Sequence, residues 1–69
     1  MPLTMAKAGE KAFIKRVGGK DDTKRFLESL GFVAGSDVTI VAKNGGDIIV
    51  NIKESRVAIS SEMANKILI

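Results

Sequence analysis

The sequence predicts a mostly β protein: a small, closed or nearly closed barrel of five short strands, with one short α-helix after the first strand and a helical turn before the last. Two observations predict this class. After residue 36 the chain is rich in β-branched residues and its predicted core positions recur with a period of two, and tight-turn signals such as Asn-Gly separate the runs. Closure into a barrel would also hide the strand edges. The length of 69 residues predicts a single domain spanning residues 1–69.

The first predicted strand occupies residues 11–17 (KAFIKRV) and ends at the pair Gly18-Gly19. Both of its faces carry apolar side chains, Ile14 on one and Val17 on the other. Side chains of a continuous strand alternate between the two faces, so this pattern leaves the inner face open.

A short amphipathic helix of about two turns is predicted next. We expect its first turn to be capped by one of three residues, Asp21, Asp22 or Thr23. One apolar stripe, which we expect to face the core, is formed by Phe26, Leu27 and Leu30.

The segment RFLESLGF predicts how this helix ends. Gly31 is expected just past the last turn, where a left-handed backbone costs glycine little. In such an ending the residue after the glycine, Phe32, folds back into apolar contact with Leu27. Val33-Ala34 then crosses over, and the chain turns at Gly35-Ser36 into the next strand. We call residues 31–36 the joint.

A β-hairpin is predicted after the joint. Val38, Ile40 and Ala42 are expected on the core face of its first strand. The Asn44-Gly45 pair favours a type I′ turn. The core face of the return strand is expected to hold Ile48, Val50 and Ile52.

The rest of the chain predicts a second tight turn at residues 53–55 and a strand over residues 56–59, with Val57 and Ile59 inward. Ser60 is expected to cap a single helical turn, SEMAN. A short strand at residues 66–69 closes the chain.

The residue inventory argues against catalysis. The chain has no histidine and no cysteine, which removes the commonest general base and the commonest transition-metal ligands. Gly18-Gly19-Lys20 lacks the spacing of a phosphate-binding loop. Asp21 and Asp22 are neighbours on a helix and point about 100° apart, so capping is the better interpretation than metal binding. We therefore predict no catalytic, cofactor or metal site, and no enzyme.

Charge and hydropathy indicate where the protein works. Residues 1–25 contain seven of the eleven basic residues but only three of the eight acidic ones. This favours an acidic protein partner, nucleic acid or an anionic membrane surface, or else a solvated face. Neither a signal peptide nor a membrane span is recognisable, so we expect a soluble intracellular domain. Single-strand binding also needs aromatic platforms, and we expect two of the three phenylalanines in the core.

Six residues are candidates for contact with a protein partner: Lys24, Arg25, Val33, Ala34, Val41 and Ile49. The two cations lie on the polar side of the helix and can steer an acidic partner. The next two form an exposed apolar pair at the joint, and the last two lie opposite the core faces of the hairpin strands. Plain solvation of the cations and coverage of the hairpin pair by a curled barrel stay open as alternatives.

Taken in order, these motifs resemble the FeoA family of small ferrous iron transport proteins. The similarity runs from Leu3 to Ile69 and includes the segments RFLESLGF, AGSDVTIV, RVAIS and EMANKILI. The joint is its most specific part. Ala34 departs from the family pattern, which usually has proline before the second glycine, and this loses a fixed φ angle.

The resemblance implies an SH3-like barrel and a cytoplasmic, bacterial accessory protein of ferrous iron uptake. Its implied partner is the FeoB membrane transporter, whose cytoplasmic part contains a GTP-binding domain, and its implied role is regulatory binding by a monomer without cofactor. Transition-metal binding is associated with the family through iron transport alone. Related domains end iron-dependent repressors, so a detached repressor-type interaction module and a nucleic-acid-binding barrel remain alternatives.

Overall fold

The computed structural model describes residues 1–69 and is mostly β, as predicted. It contains six strands: β1 (Lys11–Phe13), β2 (Arg16–Val17), β3 (Asp37–Asn44), β4 (Asp47–Ile52), β5 (Ser55–Ser60) and β6 (Ile67–Leu68). The helices are α1 (Asp21–Ser29), α2 (Ser61–Ala64) and a 3-10 turn at Leu3–Met5. Neither α1 nor α2 has the length and hydropathy that a membrane-crossing helix needs.

The strands form two antiparallel sheets that share one core. The larger sheet has the order β1-β3-β4-β5, and the smaller one pairs β2 with β6. The two chain ends meet beside the smaller sheet, where Pro2 bridges to Leu68 and the Ile69 N–H donates to the Met1 carbonyl at 2.7 Å. All fourteen buried residues are apolar. Leu3 and Ala6 are among them, so the N-terminal segment covers one side of the core.

The predicted first strand is divided, which makes the strand count six rather than five. The Ile14 N–H donates to Ser36 in the larger sheet at 2.9 Å, whereas the Lys15 N–H donates to Leu68 in the smaller one at 2.7 Å. The chain therefore changes sheet between residues 14 and 15. This break resets the alternation, and both Ile14 and Val17 are buried although they lie three residues apart.

Helix α1 differs from its prediction in two ways. Its N-cap is Lys20, and no side chain caps the first turn, so the predicted cap by Asp21, Asp22 or Thr23 is wrong. The two aspartates still lie in the first turn, where they complement the positive end of the helix. The placement of Phe26 in the core is also wrong, because its side chain is 50% exposed. The core-facing stripe follows i, i+4, i+7 spacing instead, with Leu27 buried and Thr23 and Leu30 half-buried.

The predicted helix ending is confirmed. Gly31 has a φ of 108°, its N–H donates to Glu28 at 3.0 Å, and the Phe32 N–H donates to Leu27 at 3.0 Å. These two bonds define a Schellman ending. Phe32 is fully buried beneath it.

The hairpin β3–β4 is confirmed, but a β-bulge alters one face of it. Ile40 lies opposite Val50 and Ala42 opposite Ile49, which leaves Val41 without a partner. Residues directly opposite each other share a face, so Ala42 joins Ile49 on the outer face. The prediction that Ala42 faces the core is therefore wrong, whereas the other core-face residues of β3 and β4 are buried as predicted: Val38, Ile40, Ile48, Val50 and Ile52.

The type I′ geometry predicted at Asn44-Gly45 is wrong, and that geometry occurs in the second hairpin turn instead. Asn44 pairs with Asp47, so the first turn consists of Gly45 and Gly46, and only Gly45 has a positive φ, 63°. In the second turn both Lys53 (φ 49°) and Glu54 (φ 66°) are positive, as a type I′ turn requires.

The C-terminal elements agree with the sequence. The hydroxyl of Ser60 accepts a hydrogen bond from the Met63 N–H at 3.3 Å and so caps α2. Of the two residues of β5 predicted to face inward, Ile59 is buried and Val57 half-buried. The closing strand β6 pairs with β2.

Candidate partner-binding surface

An open groove lies where α1, the loop after β2 and the joint meet. Its volume is about 440 Å³. Eight residues line it: Arg16, Val17, Gly18, Gly19, Asp21, Lys24, Glu28 and Ala34. Three local features form its walls. The pair Gly18-Gly19 ends β2, α1 supplies one side, and the Schellman ending directs the joint back across the end of the helix. We call this feature the groove.

The groove presents charges of both signs that have no ionic partner. Arg16 and Lys24 supply the positive charges, and Asp21 and Glu28 supply the negative ones. All four side chains are exposed, and no salt bridge joins any of them. A polar partner can therefore bind here without first breaking an internal ion pair.

Two of the six candidate residues come together in the groove, namely Lys24 on α1 and Ala34 in the joint. The prediction that Val33 and Ala34 are both exposed holds for Ala34 alone, because Val33 is half-buried beside it. The Val33 N–H donates to the Gly31 carbonyl at 2.9 Å. Arg25 is exposed on α1 but does not line the groove. The helix and the joint thus form one surface, and Arg25 lies outside the residues that line its groove.

The other two candidates lie in the larger sheet. Val41 sits in the β-bulge and Ile49 near the middle of β4, and both are half-buried. The cross-strand neighbours of Ile49 are Ala42 and Ala58, so the outer face carries the apolar row Ala42–Ile49–Ala58. Val41 is not part of this row, because it has no cross-strand partner in the bulge. Neither Val41 nor Ile49 lines the groove, so the hairpin candidates and the groove are separate surfaces.

Sequence reasoning missed two exposed aromatic side chains. Phe13 is 65% exposed on the outer face of β1, and Phe26 is 50% exposed on α1. On a helix with 100° per residue, Phe26 lies about 160° around from Lys24 and Glu28, on the flank away from the groove. The exposure of Phe26 could have been predicted, because Phe26 does not belong to the i, i+4, i+7 stripe of α1. The face on which Phe13 lies depends on the break in the strand after Ile14, which the sequence does not show.

The one salt bridge of the chain lies at the β1 edge rather than in the groove. Lys11 Nζ is 2.9 Å from Asp37 Oδ2. The hydrogen bond from Lys11, and then its positive charge, lower the pKa of the Asp37 carboxyl below its ordinary value. Elsewhere, no three Asp or Glu side chains come together as a metal centre would require.

Comparison with models of protein families identifies the family of this chain. The FeoA domain model matches residues 1–69, the whole chain. The chain belongs to the FeoA family.

Relatives of this FeoA chain agree with the match. A protein of Methanocaldococcus jannaschii that carries the name Fe(2+) transport protein A is 31% identical over 68 residues, which cover 99% of this chain and 83% of the relative. The structure of Stenotrophomonas maltophilia FeoA complexed with zinc, an SH3 domain protein, is 30% identical. It superimposes with a TM-score of 0.85 over 99% of this chain and 87% of that one, which confirms the SH3-like barrel.

The same fold occurs inside a larger protein. A manganese-dependent transcriptional repressor is 23% identical with a TM-score of 0.88, and the match covers 97% of this chain but 39% of the repressor. At this identity the likeness concerns the fold alone.

Proposed function

We propose that this FeoA chain is a non-enzymatic, cytoplasmic accessory protein of ferrous iron uptake, which binds the cytoplasmic part of a FeoB-type membrane transporter and regulates its GTP cycle or iron passage. The family match over the entire chain is the main support. The names of two relatives agree with it, because one is an Fe(2+) transport protein A and the other is put forward as a ferrous iron transport activating factor.

The groove is the surface that we assign to this contact. It lies against a helix whose ending is fixed by two backbone hydrogen bonds, so its walls are ordered before a partner arrives. Its four unpaired charges can form ion pairs across an interface, and Arg16 and Lys24 can attract an acidic partner from a distance. Arg25 and Val33 flank the groove and extend this surface.

Nucleic-acid binding is the second candidate, and the exposure of Phe13 favours it. Lys11 and Phe13 both face outward on β1, and Lys15, Arg16 and Lys20 are exposed nearby in the chain. An aromatic platform among cations is the arrangement that single-stranded nucleic acid requires. Phe13 is one platform only, whereas such grooves stack successive bases, so protein binding remains the first proposal.

An NMR titration of the ¹⁵N-labelled chain tests both. We expect the transporter's cytoplasmic domain to shift amides around the groove, those of Lys24 and Ala34 first. Lys24→Glu should weaken binding about tenfold, since it reverses a charge in the contact. Lys7→Glu, a matched reversal of an exposed lysine outside the groove, should leave binding unchanged.

A second arm of the titration uses single-stranded DNA. If only DNA causes shifts, and if these are centred on Lys11 and Phe13 and disappear as salt is raised, the partner is nucleic acid and not the transporter. Adding ferrous iron to the same sample tests metal binding, because paramagnetic broadening confined to a few carboxylates would reveal a site that the sequence does not predict.

A further inference from the structure

The larger sheet has one long edge that no strand covers. β5 is the last strand in the order β1-β3-β4-β5 and runs for six residues. Its turn closes on the Ile52–Ser55 pair, so the ladder to β4 uses the backbone groups of Ser55, Val57 and Ile59. The backbone N–H and C=O groups of Arg56 and Ala58 therefore point away from the sheet. Neither residue takes part in the hydrogen bonds formed outside the helices and ladders.

The side chains along this edge define what can pair with it. On the outer face, Arg56 ends the row Thr39–Asn51–Arg56, and Ala58 ends the apolar row Ala42–Ile49–Ala58. On the inner face, Val57 is only half-buried. A strand added here would place one residue opposite Arg56, one opposite Ala58 and one beside Val57.

We propose that the free edge of β5 binds an extended segment of a protein partner by β-strand addition, with a carboxylate opposite Arg56 and apolar residues beside Val57 and Ala58. Main-chain hydrogen bonds to Arg56 and Ala58 supply the affinity, and the alternating side chains supply the selectivity. Arg56 has no salt-bridge partner within the chain, so its charge is available to that carboxylate.

A second copy of this chain fits the edge less well. The strand β5 reads SRVAIS and contains no acidic residue, so two such edges paired with each other leave both Arg56 side chains without a carboxylate opposite. The observations therefore favour a different protein with an acidic extended segment. Where that protein is the transporter, this inference rests on the proposed function and describes a second part of the same interface.

The test uses the full chain and two variants of β5. Ala58→Pro removes one outward N–H, and proline is tolerated at an edge position that does not donate to the ladder. Arg56→Glu reverses the charge that selects the carboxylate. Against the transporter's cytoplasmic domain, we expect each variant to lose about tenfold in affinity and Lys7→Glu to lose none. Melting curves check that both variants fold. If Ala58→Pro does not fold, the affinity of Arg56→Glu for the transporter domain tests the proposal alone.

A second probe separates this inference from the proposed function. It is a blocked eight-residue peptide of alternating valine and threonine with one central glutamate, compared with the same peptide carrying lysine in place of glutamate. We expect the glutamate peptide to shift the Arg56 and Ala58 amides and the lysine peptide to shift them less. This arm does not require the transporter.

The outcomes are distinguishable. If the transporter domain binds both variants as tightly as the parent chain, the β5 proposal is overturned while the proposed function stands. If the transporter domain does not bind at all, the proposed function fails, and the peptide decides: shifts at Arg56 and Ala58 support the edge, and their absence overturns it. A concentration-dependent dimer in ultracentrifugation that Ala58→Pro abolishes would assign the edge to a second copy and overturn the proposed occupant.

Discussion

The two edges of the larger sheet are built differently. β1 is three residues long, ends where the chain crosses into the smaller sheet, and bears Lys11 in its salt bridge with Asp37. β5 is twice as long, contains Arg56 as its only charge, and has neither proline nor bulge. Short length and lysine are devices that keep an edge from pairing with another chain. The protein thus protects one edge and leaves the other open, which is the arrangement that strand addition requires.

The open edge is also tied to the helix ending. An added Cβ at Gly31 would lie 3.3 Å from the aliphatic stem of Lys53, in the turn that leads into β5. That turn holds two non-glycine residues at positive φ, whereas the β3–β4 turn uses glycines. The β5 side of the sheet therefore packs a strained turn against Gly31. The β1 side instead meets the joint through backbone hydrogen bonds that link Ile14 to Gly35 and Ser36.

The largest expected loss of stability comes from truncating a buried side chain in the core that both edges share. Phe32→Ala should lower the free energy of unfolding by about 3–5 kcal/mol, which is comparable with the whole stability, roughly 3–10 kcal/mol, of a domain this small. Both edges should then lose protection from amide exchange together. Phe26→Ala is the matched control, and because Phe26 is half exposed it should cost less than about 1 kcal/mol in denaturant unfolding. Equal losses in the two variants would contradict the burial described here.

Gly31→Ala should separate the edges. Alanine at a φ of 108° is strained and its Cβ would press on Lys53, so we expect a loss of about 1–3 kcal/mol. Amide exchange should quicken in the β4–β5 turn before it does in β1. Gly46→Ala serves as control, since Gly46 has no positive φ and open space around it. A Gly31→Ala chain as stable as Gly46→Ala would show that the joint does not need glycine.

Relaxing the strained turn should strengthen the β5 side. Glu54→Gly places glycine at a φ of 66° and keeps the Lys53 stem against Gly31, so we expect about 1 kcal/mol of stabilisation in denaturant unfolding. Glu54→Gln keeps the strain and removes only the charge, and it should change stability little. Stabilisation of both variants alike would point to charge rather than to backbone strain.

The smallest effect concerns the β1 edge and depends on pH. The pKa of Asp37 is lowered by Lys11, so the stability that this pair contributes is present above the ordinary carboxyl pKa and is lost as pH falls through the lowered value. The difference in melting temperature between the parent chain and Lys11→Gln should therefore shrink from about pH 6 to about pH 2. Added salt should shrink it too, because the pair is exposed. A difference that grows in acid would rule out this pair as its source.

Sequence reasoning succeeded at several features that neighbours in the chain determine, but it failed at two others, the α1 cap and the type I′ turn at Asn44-Gly45. The ending at Gly31 and Phe32, the β3–β4 hairpin and the Ser60 cap each depend on a few consecutive residues. It also failed where tertiary contacts decide. The exposure of Phe26, the outward turn of Ala42 at the bulge and the break after Ile14 each depend on which distant strand the segment meets.

The candidate site was predictable to the same extent. Lys24 and Ala34 were recognisable one by one, because a cation on a polar helix side and a small residue in a loop are local patterns. Their meeting in one groove with Arg16 depends on the Schellman ending and on β2 lying beside α1. The open β5 edge follows from the strand order, which no local pattern specifies.

Amide hydrogen exchange with and without the transporter's cytoplasmic domain tests the central claim most directly, because it compares the two edges within one sample. The outward amides are those of Arg56 and Ala58 on β5 and of Lys11 and Phe13 on β1. Slowing of at least about tenfold for the β5 amides, with unchanged β1 amides, is the predicted result. A bound domain that leaves the β5 amides exchanging freely, or that slows the β1 amides instead, would contradict the account.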